Sequence, residues 1–217
     1  VELVTKYLPL PPKVIKLAKP NSELLKYSPT QAMPILKAGD DFITGVIPIV
    51  KYLVKSIPDD NSDGVTFDIK KILLGKTVKD EGKIDTWLNY ILNSIYPPVI
   101  EIYIELYGKK KYCIRTLETA INDLFDELKK VNERLKLNTF LTADNVQLSD
   151  LMLASSLFYC YQDILTKDKL KMFPNVIRVF RFVSNMSQFK NVFGVAKECK
   201  KMKEHEAFTE AKHEEQK

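Results

Sequence analysis

Histidine is almost absent from this chain of 217 residues, and its placement excludes much chemistry. His205 and His213 both fall in a charged C-terminal stretch. The part that can fold around an apolar core therefore holds no imidazole for a general base, a catalytic triad or a zinc site. Glycine is scarce too. The seven glycines never gather into a Gly-rich phosphate loop, so P-loop and dinucleotide fingerprints are missing. The three cysteines, Cys113, Cys160 and Cys199, are odd in number, far apart and form no C-x-x-C. That usage fits free thiols in a reducing, cytoplasmic setting. No apolar run reaches membrane length, and no signal-peptide pattern is visible, so no membrane partner is expected.

What is present is ordinary globular material: 45% hydrophobic and 28% charged residues, enough for one large domain or two small ones. The net charge of +5 comes mostly from lysines interleaved with acids. This describes solvated helix surface rather than the one-sided basic face of a nucleic-acid binder, so no direct nucleic-acid contact is expected.

The stretch Asp144 to Leu165 organises the rest. After Asp150 it is apolar on nearly every side, as a helix buried all round must be. Ser155, Ser156 and Gln162 break it enough to favour a soluble helical domain over a membrane span. Its start pairs Val146 with Leu151 as a hydrophobic staple, and Asp150 stands three residues after Gln147, where a capping-box acid reaches back. Gln147 is a poor cap by type, and Asp144 or Asn145 offer caps one turn earlier.

In chain order, Val1–Leu8 reads as the end of an amphipathic helix, stopped by Pro9, Pro11 and Pro12. Lys13–Leu17 alternates like a strand, and Ser22–Tyr27 suggests a short helix. Met33–Leu36 and Asp41–Ile43 are strand signals around the turn Ala38-Gly39-Asp40. Val46–Val54 then reads as helix, with Pro48 tolerated in its first turn. Ser56–Phe67 is rich in Pro, Asp, Asn, Ser and Gly and marks a boundary. Beyond it the pattern is helical: Ile84 to Ile95 at three- and four-residue steps, a kink at Pro97-Pro98, and a turn at Gly108–Lys111. A helix over Tyr112–Leu135 follows, with Glu127 or Asp126 paired to Lys130 on its outer face. Another begins at Pro174, and Phe189, Val192 and Phe193 close the bundle. From Lys197 the dense mixed charge predicts a frayed or isolated helix leaving the globule.

The staple and cap resemble the core-helix start of the C-terminal domain of glutathione transferases. The strand, helix, strand, turn, strand, helix order before residue 56 resembles the later part of their thioredoxin-like N-terminal domain. The resemblance implies an α+β, or α/β, glutathione-transferase-like fold. It has a thioredoxin-like N-terminal domain (1–56) whose first strand would lie upstream of Val1, a linker (57–79), an all-α C-terminal bundle (80–196) and a charged exit segment (197–217). It implies a cis Pro34 that opens the backbone of Met33 to glutathione. It also places Thr44-Gly45 where transferases carry Glu or Gln followed by Ser. With that acid gone, Met33, Pro34 and Thr44 would form a vestigial glutathione site of weak or absent affinity. No catalytic residue and no metal site are assigned.

Three stretches are similar to the elongation factor 1-gamma family. They are Trp87 to Pro98 with its Tyr-Pro-Pro, Asn138 to Asp150, and Phe173 to Lys203. The last carries Phe173-Pro174-Asn175, Arg178, Gln188-Phe189, Gly194, Lys197, Cys199 and Lys201-Met202 in the family's order. Val179 stands where the family commonly has Trp. This resemblance implies a structural scaffold in translation that docks the guanine-nucleotide-exchange subunit recharging elongation factor 1-alpha, with homodimer formation a further option. Two rivals follow from the same fold: an active glutathione transferase, and a docking domain of an aminoacyl-tRNA synthetase complex.

Overall fold

A computed structural model describes residues 1–8, 12–15, 26–28, 33–57 and 65–206, without the side chains of 65–68. In chain order its elements are α1 (Glu2–Thr5), β1 (Ile35–Ala38), β2 (Asp41–Thr44), α2 (Val46–Lys55), α3 (Val65–Leu74) and α4 (Val78–Tyr90). A π-helical turn (Ile91–Ile95) leads into α5 (Tyr96–Leu106). Then come α6 (Ile114–Lys136), α7 (Leu148–Asp163), α8 (Lys167–Leu170), α9 (Pro174–Ser184) and α10 (Ser187–Phe193).

The hairpin is antiparallel, with Ile35 opposite Thr44 and Ala38 opposite Asp41. Its partner helix α2 buries Ile49, Val50, Leu53 and Val54 on one face. Of the stretch read as a strand, Lys13–Ile15 has no regular structure and exposes Val14 and Ile15. The residues Lys16 and Leu17, and Ser22–Leu25 of the expected short helix, lie outside the described residues. Lys26 and Tyr27 form a turn, with the Tyr27 ring stacked 3.8 Å from Phe42 on β2.

Helix α7 is the centre of the bundle, against α4, α5 and α9. Leu151, Leu153, Ala154, Leu157, Phe158, Cys160 and Tyr161 are buried, each large side chain contributing about 2 kcal/mol of transfer free energy. It is not apolar-packed all round, as the sequence suggests. Met152, Ser155, Tyr159 and Gln162, at three- and four-residue steps, form one less buried stripe, and Tyr159 is exposed. The cap falls at Gln147 after all. The Asp150 carboxylate accepts the Gln147 N–H (2.9 Å) and also the Leu141 N–H (3.0 Å), which ties the preceding loop to the helix start. The Gln147 side-chain oxygen faces the N3 backbone in the reciprocal half of the capping box and also accepts the Thr142 hydroxyl.

Three differences from the sequence reading have physical causes. Val65–Leu74, inside the stretch expected to be a linker, is helix, because Leu73 and Leu74 bury into the common core. Around Pro97-Pro98 the helical assignment is unbroken but changes type: a π turn stands just upstream of the two prolines, where their missing N–H groups leave the i→i−4 ladder without donors. The charged exit does not leave the globule at Lys197. Through Glu206 it runs as an extended strap over the ends of α5 and α7, held by backbone bonds from Lys203 N–H to the Asp163 carbonyl (2.7 Å) and from Glu206 N–H to the Leu106 carbonyl (2.8 Å). A smaller correction concerns α6: Glu127 pairs with Lys130, as expected, while Asp126 takes Lys129.

Candidate functional site

The hairpin brings together residues that the sequence reading singled out. Ile35 pairs with Thr44 across the ladder, and Gly45 N–H donates to the Pro34 carbonyl at 3.3 Å. Met33-Pro34 and Thr44-Gly45 therefore meet at one end of the sheet, where α2 begins. The Met33–Pro34 peptide bond is cis. Met33 is exposed, while Pro34 and Thr44 are half-buried. Gly45 is the N-cap of α2 at φ 89°, a left-handed conformation that glycine adopts without strain. A side chain there would also touch Pro48 Cδ at 3.5 Å.

This corner can do limited chemistry. Met33, Pro34, Thr44 and Gly45 bring backbone N–H and C=O groups and one hydroxyl. They bring no acid, base or thiol. Such a group can hold the backbone of an extended peptide, but it cannot lower the pKa of a thiol by itself.

A second feature had no signal in the sequence. An apolar cavity of about 230 Å³ opens between the N-terminal part and the bundle. Leu3, Val4, Val46, Val50, Leu92 and Tyr96 line one side, and Leu151, Met152, Ser155 and Ser156 of α7 line the other. Met152 and Ser155, the first two members of the less buried stripe of α7, face it, and a contact between elements so distant in sequence leaves no local pattern. The junction is also pinned by charge. Lys51 and Lys55 of α2 hold Glu81 of α4 at 2.7 Å, and Lys51 also reaches Asp85 at 2.7 Å. The Lys51 hydrogen bond foremost, and that of Lys55 after it, hold the Glu81 carboxyl below the usual carboxylate range.

The exposed thiol is Cys113, at the N-cap of α6. A hydrogen bond with the Thr116 side chain, and then backbone N–H groups of the helix start, hold its pKa below the ordinary thiol value. Cys160 is sealed in the core, and burial pushes its thiol up to about 12. Among the described residues, no group of three His, Cys, Asp or Glu side chains is placed to hold a metal ion, and no helix is long and apolar enough to cross a membrane.

A hairpin with a cis-proline corner, packed through α2 onto an all-helical bundle around α7, defines a glutathione-transferase-like fold. In sequence the chain is similar to elongation factor 1-gamma. It is 27% identical over 176 residues to that protein of Prunus avium, covering 81% of this chain and 39% of the relative. The glutathione-transferase-like domain of elongation factor 1-gamma from Saccharomyces cerevisiae superimposes with a TM-score of 0.70 at 20% identity, over 85% of this chain and 82% of that one. A glutathione S-transferase-like protein, FUS3 of Gibberella moniliformis, is 25% identical over 175 residues, covering 80% of this chain and 75% of the relative. No protein-family model matches the chain. The chain spans between 30% and 40% of the length of the elongation factor 1-gamma relatives.

Proposed function

We propose that this chain is a transferase-shaped scaffold of the translation elongation machinery, acting in the cytoplasm. In this role it docks the guanine-nucleotide-exchange subunit that recharges elongation factor 1-alpha. The single observation that carries the proposal is the similarity to elongation factor 1-gamma over most of the chain. The hairpin corner supports weak rather than tight glutathione binding. Thr44-Gly45 stands at the hairpin corner where an acid would hold the glutathione amine. The vestigial glutathione site is therefore a peptide-backbone corner of low affinity.

A pull-down from cytosol with the chain as bait tests this reading. Exchange-factor subunits should be recovered. Recovery of aminoacyl-tRNA synthetases in their place would transfer the scaffold to that complex.

The second reading, an active glutathione transferase, is favoured by the similarity to the Gibberella protein, of which this chain covers 75%. It predicts turnover of a chloronitrobenzene with glutathione. The scaffold reading predicts a rate no greater than the uncatalysed one, and a clear excess would reverse the choice.

A further inference from the structure

The exit strap is built unlike the rest of the bundle. Between Lys197 and Glu206 only Cys199 is fully buried, and the remaining side chains are exposed or half-buried. Its attachments are mostly polar: Lys197 N–H donates to the Gln162 side chain at 3.2 Å and Glu198 pairs with Arg181 of α9 at 2.6 Å, while Met202 packs against the core. A parallel bridge joins Cys199 to Thr166, and the Lys203 and Glu206 N–H groups close the last carbonyls of α7 and α5. Lys203 Nζ lies 4.3 Å over the Tyr107 ring, and the His205 ring stacks 4.0 Å from Tyr112. The Tyr107 hydroxyl in turn donates to Asp163 at 2.7 Å, so the ring beneath the lysine is fixed by the same helix end that the strap covers. A cavity of about 420 Å³ remains under the strap, lined by Leu106, Tyr112, Leu117 and Met202 among others.

Ordering ten residues is costly in conformational entropy, and here little apolar burial offsets it. Segments of this kind open at a lower free energy than the core beneath them. We propose that residues 197–206 form a releasable clasp: it detaches as a unit from the ends of α5 and α7 while the bundle stays folded, and closed it hides a tyrosine face made by Tyr107 and Tyr112. The helix ends tolerate release because their freed carbonyls meet water. The clasp does not depend on which partner the domain holds, so it stands or falls apart from the scaffold reading.

Hydrogen exchange of the full chain, resolved to single amides, tests it. In the unaltered protein the Lys203 and Glu206 amides should exchange together, protected but faster than the Leu157 amide in α7. The double variant Lys203→Ala, His205→Ala removes the cation and the stacked ring. It should speed the two strap amides about tenfold and leave Leu157 unchanged. Strap amides that exchange at the rate of Leu157 would make the strap part of the core and overturn the proposal. So would strap amides as fast as free chain, or a variant that accelerates strap and α7 in parallel.

Discussion

Arg178 gives the sharpest test of how the bundle is held. It lies on the outer side of α9, where a surface arginine would ordinarily matter little. Its guanidinium instead forks across the end of α6, with Nη1 donating to the Thr139 carbonyl (2.7 Å) and Nη2 to those of Leu135 (3.2 Å) and Asn138 (3.0 Å). Helix α6 stops at Lys136, so these are carbonyls that no further turn can satisfy. A cation there also opposes the negative end of the helix dipole. Two of the three bonds are exposed to water, so each is discounted to about 0.5–1 kcal/mol. With the dipole term, Arg178→Ala should cost about 2–3 kcal/mol. In a domain of this size that lowers Tm by about 5–10 °C. Arg178→Lys should recover less than half, because an ammonium cannot span three carbonyls as a planar fork does. Arg181 on the same helix is the control. Its pair with Glu198 is exposed at both ends, and Arg181→Ala should cost less than about 1 kcal/mol. Urea unfolding followed by circular dichroism reads all three. If Arg178→Ala and Arg181→Ala cost the same, the clamp contributes nothing and the reasoning fails.

Other perturbations follow from equally specific contacts. The Asn132 side chain on α6 accepts the Asn175 and Val176 N–H groups (2.9 and 3.4 Å) and so caps α9 from another helix. Asn132→Ala should therefore cost about 1–2 kcal/mol in the same urea assay, and an unchanged midpoint would refute the cap. Gly75 sits at φ 84°, and an added Cβ would come 2.5 Å from Asp80 Cβ, so Gly75→Ala should destabilise by at least about 1 kcal/mol. Asp150 has a distinct pH signature. Burial pushes its carboxyl up to about 6, against the lowering by the Leu141 and Gln147 N–H groups. The folded chain thus holds this proton more tightly than the unfolded chain. That contribution is present below about pH 4 and is lost as the pH rises to 6, by up to about 3 kcal/mol. Comparing stability from pH 4 to 6 in the parent and Asp150→Asn should show this fall only in the parent; superimposable profiles would refute it.

How much of this was written in the sequence depends on which contacts are local. The hairpin, α2, α6 and the core helix follow from periodicity and turn residues that act within a few positions. The Asp150 cap was legible for the same reason. The strap was not. Its side chains carry the composition of a solvated tail, and what holds it is backbone N–H of Lys203 and Glu206, which every residue type offers alike. Arg178 was visible as part of a family-like pattern, but its task requires knowing that α9 crosses the end of α6. The meeting of Met33-Pro34 with Thr44-Gly45 was inferred through resemblance, since their approach depends on strand register. The apolar cavity beside α7 combines residues from α1, α2, the π turn and α7, and no window of sequence contains it.

The proposed scaffold role requires direct binding of the exchange subunit. Mixing the purified chain with a purified guanine-nucleotide-exchange subunit, and measuring mass by light scattering across a size-exclusion column, addresses it directly. A stable complex eluting ahead of both components is the predicted result. Two separate peaks at micromolar concentrations, with both proteins folded, would contradict it.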